Sequence, residues 1–122
     1  MLEEIKERFE FFSDALIKKI SYEGVKEGYG KIVITLNTMD SDNNDNFSKI
    51  KLIFKGIQKF RLIEQYPFSS LIINQALLIE DEEGITFDFF PEICDDNRLK
   101  EDPNSDLLIK CQGVSFKVIE KY

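Results

Sequence analysis

Residues 49–63 read Lys49-Ile50-Lys51-Leu52-Ile53-Phe54-Lys55-Gly56-Ile57-Gln58-Lys59-Phe60-Arg61-Leu62-Ile63, and their alternation decides the fold class. Ile50, Leu52, Phe54, Phe60 and Leu62 share one parity, whereas Lys51, Lys55, Lys59 and Arg61 share the other with Ile53, Ile57 and Ile63. Period-two alternation marks a strand with one buried and one wet face. Gly56 interrupts the pattern, and two geometries fit it. One is a single strand bulged at the glycine; the other is a hairpin with the loop Lys55-Gly56-Ile57. A shorter loop would set Leu52 against Lys59, so register rejects it. Both surviving geometries send the cations to one face.

Charge is separated along the chain. Lys49–Arg61 holds five basic residues and no acidic one, yet the 122 residues carry a formal net charge of −7, which leaves −12 on the remainder. Acid is densest in Glu80–Asp106, with eleven carboxylates against two cations. Clustered lysines can neutralise phosphates, but Phe54 and Phe60 fall on the opposite parity and so cannot stack bases beside them. The surrounding negative charge also repels a polyanion. The expectation is therefore no nucleic acid, with the lysines marking a solvated sheet face or an edge protected against aggregation. The acidic region suits a basic protein partner, because complementary fields speed association. Glu82, Glu83, Asp95 and Asp96 are the candidate contacts.

Working outward, Leu2, Ile5, Phe9 and Phe12 form one apolar stripe among Glu3, Glu4, Lys6, Glu7 and Glu10, which predicts an N-terminal helix. Ser13-Asp14 should end it, although Leu16 and Ile20 could also continue the stripe. Leu16, Ile20 and Tyr22 alternate with Ile17, Lys19 and Ser21 as a strand would. Lys31–Leu36 is dense in β-branched residues and reads as a central strand. Asp40–Asn46 is all Asp and Asn but for Ser41, and predicts a solvated loop. Leu71–Ile79 fits either a helix or a strand, with its Leu-Ile-Ile opening favouring a strand; Asp81–Gly84 reads as a turn, and Ile85, Phe87 and Phe89 as the returning strand that Pro91 ends. Glu92–Pro103 reads as a long connection. At the end of the chain, a turn at Gln112-Gly113 would set Cys111 opposite Val114, Ile109 opposite Phe116 and Leu107 opposite Val118.

The chain has no histidine, which removes Ser-His and Cys-His couples, the usual base near neutral pH and most zinc sites. No phosphate-binding loop, dinucleotide fingerprint or nucleophile elbow is present. Asp40–Asn46 resembles the start of a calcium loop, but Asp45 stands where glycine is needed and Lys51 where a bidentate glutamate belongs. Asp88 interrupts a phenylalanine-rich strand and is the carboxylate to test first for catalysis, yet on the face of Thr86 and Phe90 it can simply point to solvent. No catalytic, cofactor or metal site is assigned.

Eleven Phe and sixteen Ile favour pleated surfaces, and a chain of this length can bury roughly two-thirds of its unfolded surface in one domain, 1–122. No signal peptide or bilayer-length apolar run occurs. A cytoplasmic location follows, with Cys94 and Cys111 as free thiols. Thirteen Lys against three Arg resembles the usage of an A/T-rich bacterial genome.

Phe11–Ile20, Ile32–Leu36, Leu52–Ile57 and Ile109–Val114 together are similar in order and spacing to a group of small, poorly characterised bacterial β-rich proteins, some of them immunity proteins of toxin systems. Where that group opens its first strand with a His-Asp-Ala type of sequence, this chain has Ser13-Asp14-Ala15, so any role of that histidine is absent. The resemblance implies toxin neutralisation and brings no catalytic residues. The expected architecture is α+β: a helix packed on a mostly antiparallel sheet of about seven or eight strands, curved or folded into a sandwich. The expected function is non-enzymatic protein binding, as a monomer or homodimer; a further reading is a homo-oligomeric structural protein that dimerises through the Ile53 and Ile57 face. The alternative is a ligand-binding or weakly catalytic domain with a pocket between helix and sheet.

Overall fold

The computed structural model describes residues 2–24, 30–62, 71–73, 75–94, 98–102, 105 and 107–122. Helix α1 (Leu2–Arg8) precedes strands β1 (Leu16–Gly24), β2 (Gly30–Met39), β3 (Phe47–Leu62), β4 (Leu71–Ile72), β5 (Leu77–Asp81), β6 (Gly84–Asp88), β7 (Glu92–Ile93), β8 (Leu99–Lys100) and β9 (Leu107–Lys121). The main sheet is open and antiparallel, in the order β4-β1-β2-β3-β9-β6-β5. Among the described residues the only other sheet is the short β7–β8 pair, so the strands do not build a second layer for a sandwich. That pair lies within the Glu92–Pro103 connection.

The bulge reading of residues 49–63 holds and the hairpin reading does not. Strand β3 runs sixteen residues through Gly56, which has φ +66°. A register shift against β9 follows between Ile57 and Lys59. Ile50, Leu52 and Phe54 are fully buried, while Ile57, Phe60 and Leu62 pack against the same core. The left-handed glycine and the extra residue at the bulge each shift the strand's parity. Ile57 is thereby turned onto the core, away from the outer face that carries Ile53, so the two residues do not share one face.

The closing hairpin is likewise replaced by one long strand. Strand β9 passes straight through Gln112-Gly113, and both of its halves pair with β3. Its core positions change parity there, from Leu107, Ile109 and Cys111 to Val114, Phe116 and Val118. The crossing is tight, since a Cβ added at Gly56 would stand 2.8 Å from Cβ of Gln112. A local hairpin offers one short ladder, whereas β3 offers pairing along nearly the whole strand.

Other expectations shift for similar reasons. A bulge between Ile17 and Lys19 places Ile17 opposite Leu36 and Ile20 opposite Ile34, so Ile17 is the buried residue of β1. Leu71–Ile79 is two strands on opposite edges of the sheet, β4 beside β1 and β5 beside β6. The chain between them is tied down where the Ile73 amide donates to the Ala15 carbonyl and that of Ala76 to Phe11, each at 2.8 Å.

The helical stripe is buried as read: Leu2, Ile5, Phe9 and Phe12 all enter the core. Helix α1 itself stops at Arg8. Glu10, Phe11 and Phe12 then take φ of 50°, 56° and 58°, a left-handed turn that costs roughly 1–2 kcal/mol per residue. Aromatic packing offsets it. Phe9 meets Phe116 edge-on at 5.1 Å, and Phe12 lies 5.5 Å from Phe87, which in turn contacts Phe54 and Phe89. Full burial of each such ring contributes about 1.5–3 kcal/mol.

Replacing Gly56 with alanine forces a left-handed side chain against Gln112 and should cost about 1–3 kcal/mol in urea unfolding. A variant as stable as wild type would mean that this glycine does not set the break in β3.

Candidate functional site

Among the described residues, the carboxylates of Asp40 and Asp88 are fully buried, contrary to the reading of both as solvated. Asp40 accepts from Nε of Arg8 at 2.9 Å, from Oγ of Ser48 at 2.8 Å and from the Asp42 amide at 3.0 Å. Burial alone would raise its pKa, but these bonds and the Arg8 charge outweigh that and hold it below the ordinary value. Hydrogen bonding to Asp40 raises Arg8 in turn, against desolvation. The guanidinium also lies over the rings of Phe9 and Phe116 and reaches Asp42 at 3.2 Å. The loop sequence therefore starts on an internal ion pair that fixes α1 to the end of β2. With its oxygens so engaged, Asp40 is unsuited to open a calcium loop.

Asp88 accepts from the amides of Phe90 and Asp102, each at 2.9 Å, and from Oγ of Ser105 at 2.5 Å. Ser105 is itself buried, and its carbonyl accepts from Nε of Arg61 at 2.7 Å. This network clamps the connection after β8 onto the ends of β6 and β9. Both oxygens of Asp88 accept hydrogen bonds, which gives it an architectural role. The sequence signal for this burial was present in the apolar flanks, Phe87 and Phe89; the donors come from residues too distant to be foreseen.

Both cysteines are free. Burial pushes the Cys111 thiol up to about 11, although its contact with the Gly113 carbonyl works the other way. Cys94 is half-buried.

Of the expected partner contacts, Glu82 and Glu83 are exposed at the turn between β5 and β6, where the Glu83 amide donates to Oδ1 of Asp81 at 2.8 Å. Asp95 and Asp96 lie outside the described residues. Among the described residues, these four therefore contribute no acidic cluster beyond the Glu82–Glu83 turn.

It does assemble a basic one. On the outer face of the sheet, opposite the core, the ladder aligns Lys19, Thr35, Lys51 and Lys117 across β1, β2, β3 and β9. A second row pairs Lys31 directly with Lys55, with Glu23 beside Lys31. Between the rows lie Ser21, Val33, Ile53 and Ser115. Lys49 extends the face towards Glu120. Lys19, Lys51, Lys55 and Lys117 are exposed and make no ion pair among the described residues, while Lys31 reaches Glu23 at only 4.0 Å. Thr35, flanked by Lys19 and Lys51, is 8% exposed, as expected where lysine stems lie along a sheet. Sequence parity showed the β3 lysines but could not place Lys19, Lys31 and Lys117 beside them, because that depends on register.

No family model matches this chain, and neither does any curated protein or solved structure. No helix among the described residues is long and apolar enough to cross a membrane.

Because the folded pKa of Asp40 is depressed, its stabilisation is present above the unfolded value near 4 and is lost as pH falls through the folded value. Asp40→Asn should cost about 2–4 kcal/mol at pH 7. It should also flatten the loss of stability as pH falls below about 4; an acid profile as steep as wild type would remove Asp40 as its source. In the native protein at about pH 8, a thiol reagent should modify Cys94 and spare Cys111, as mass spectrometry of the labelled protein can check.

Proposed function

We propose that the chain is a non-enzymatic protein-binding module that docks through the outer face of its sheet onto an acidic surface of another protein. The observation that carries this reading is the direct cross-strand opposition of lysines, Lys51 to Lys117 and Lys31 to Lys55. Like charges facing each other across a ladder oppose folding by roughly 0.2–1 kcal/mol per pair. An anionic partner would turn that cost into attraction. Val33 and Ile53 provide a partly buried aliphatic centre with cations around it, the apolar-core and polar-rim pattern of a protein interface. A nucleic acid would instead use aromatic faces among the cations, and the positions between the lysine rows hold aliphatic and hydroxyl side chains.

The saturated carboxylates Asp40 and Asp88 and the phenylalanine-filled space beneath the sheet favour binding over a buried catalytic pocket. Toxin neutralisation is the form of binding that the sequence resemblance implies, and it requires no catalytic group. The acidic turn at Glu82 and Glu83 would suit a basic partner, but it rests on one hairpin, whereas the lysine face is held in register by four strands.

Two measurements test the reading. Lys51→Glu should raise folding stability by about 0.5–1 kcal/mol, since it relieves repulsion from Lys117; a destabilised variant would oppose the premise. For a partner identified by co-purification, Lys51→Glu/Lys55→Glu/Lys117→Glu should slow association at least tenfold while Glu82→Lys/Glu83→Lys leaves it unchanged. The opposite ranking would transfer the site to the acidic turn.

A further inference from the structure

Among the described residues, strand β5 is the last in the sheet and pairs on one side only, with β6. Helix α1 contacts β5, and between them lies an open groove of about 560 Å³ lined by Leu2, Glu3, Lys6 and residues 77–80. Ile79 is 40% exposed, one of five large apolar side chains so exposed among the described residues. An edge strand with an uncovered apolar position beside a helical wall is the arrangement that strand addition uses: main-chain hydrogen bonds supply affinity, and alternate side chains fill the adjoining groove.

The charges narrow the occupant. Lys6 is neutralised by Glu3 at 3.2 Å, whereas Glu80 and the exposed Asp81, Glu82 and Glu83 that follow make no ion pair among the described residues. A second copy of this chain would lay another β5 with the same acids against this one, and charged edges of this kind discourage self-pairing. An extended segment alternating apolar and basic residues meets the same edge with complementary charge. We infer that the β5 edge and the α1 groove receive such a segment of a partner protein as an added antiparallel strand. This site is separate from the lysine face, and either can fail without the other.

The full chain, labelled with nitrogen-15, would be titrated with a twelve-residue peptide alternating valine and lysine. Two control peptides accompany it: one with glutamate in place of lysine, and one N-methylated on alternate amides. The lysine peptide should shift the backbone amides of Leu77–Asp81 and Leu2–Lys6. The glutamate and N-methylated peptides should bind there at least tenfold more weakly, and Ile79→Thr should weaken the lysine peptide several-fold while leaving the remaining spectrum intact. The proposal is overturned if the lysine peptide leaves those amides unmoved or if the N-methylated peptide binds equally well. It is also overturned if the same amides shift with protein concentration alone, which would assign the edge to a second copy.

Discussion

The pairing of β3 with β9 is the constraint on which the other features depend. These two strands form the middle of the sheet, and each must bury apolar side chains along its length while remaining in register with two neighbours. A strand that alternates strictly could not keep Phe54, Ile57 and Phe60 on one side, because the residue spacings are odd. The left-handed Gly56 and the bulge before Lys59 supply the needed changes of parity, and β9 makes its own change opposite, at Gln112-Gly113. The cost is loss of tolerance at the crossing, where Gln112 leaves no room for a Cβ.

Two unfavourable local arrangements persist because of this frame. One is the left-handed turn at Glu10–Phe12, whose strain is balanced by rings that reach β6 and β9. The other is the set of opposed lysines on the outer face, which packing holds in place although their charges repel. The first serves the core, since it aims Phe12 at Phe87. The second has no such structural return, which is why the lysine face and not the acidic turn supports the binding proposal. The buried carboxylates Asp40 and Asp88 belong with the core: each ties a connection to the sheet through several donors.

Much of the core was legible in the sequence. The stripe Leu2, Ile5, Phe9 and Phe12, the central strand at Lys31–Leu36 and the buried parity of Ile50, Leu52 and Phe54 follow from local periodicity, which chain geometry translates directly into a face. Asp40 and Asp88 were misread because composition makes Asp a loop or surface residue, whereas their burial depends on Arg8, Ser48 and Ser105, which lie eight to thirty-two residues away. Gln112-Gly113 was misread as a turn because local turn chemistry was satisfied there, and only the availability of β3 as a longer partner opposes it. The acidic residues were visible by count, yet Glu82 and Glu83 end up on a single hairpin.

By itself the sequence determined an α+β domain with an N-terminal helix, antiparallel strands and a lysine side to β3, because these follow from periodicity within short windows and from side-chain chemistry. Tertiary structure decided which side Ile57 faces, that the lysines of β1, β2 and β9 lie beside those of β3, and that β5, next to α1, is the last strand of the sheet among the described residues. Those outcomes depend on register and strand order, which are set by long-range pairing and by competition between partners far apart in the chain.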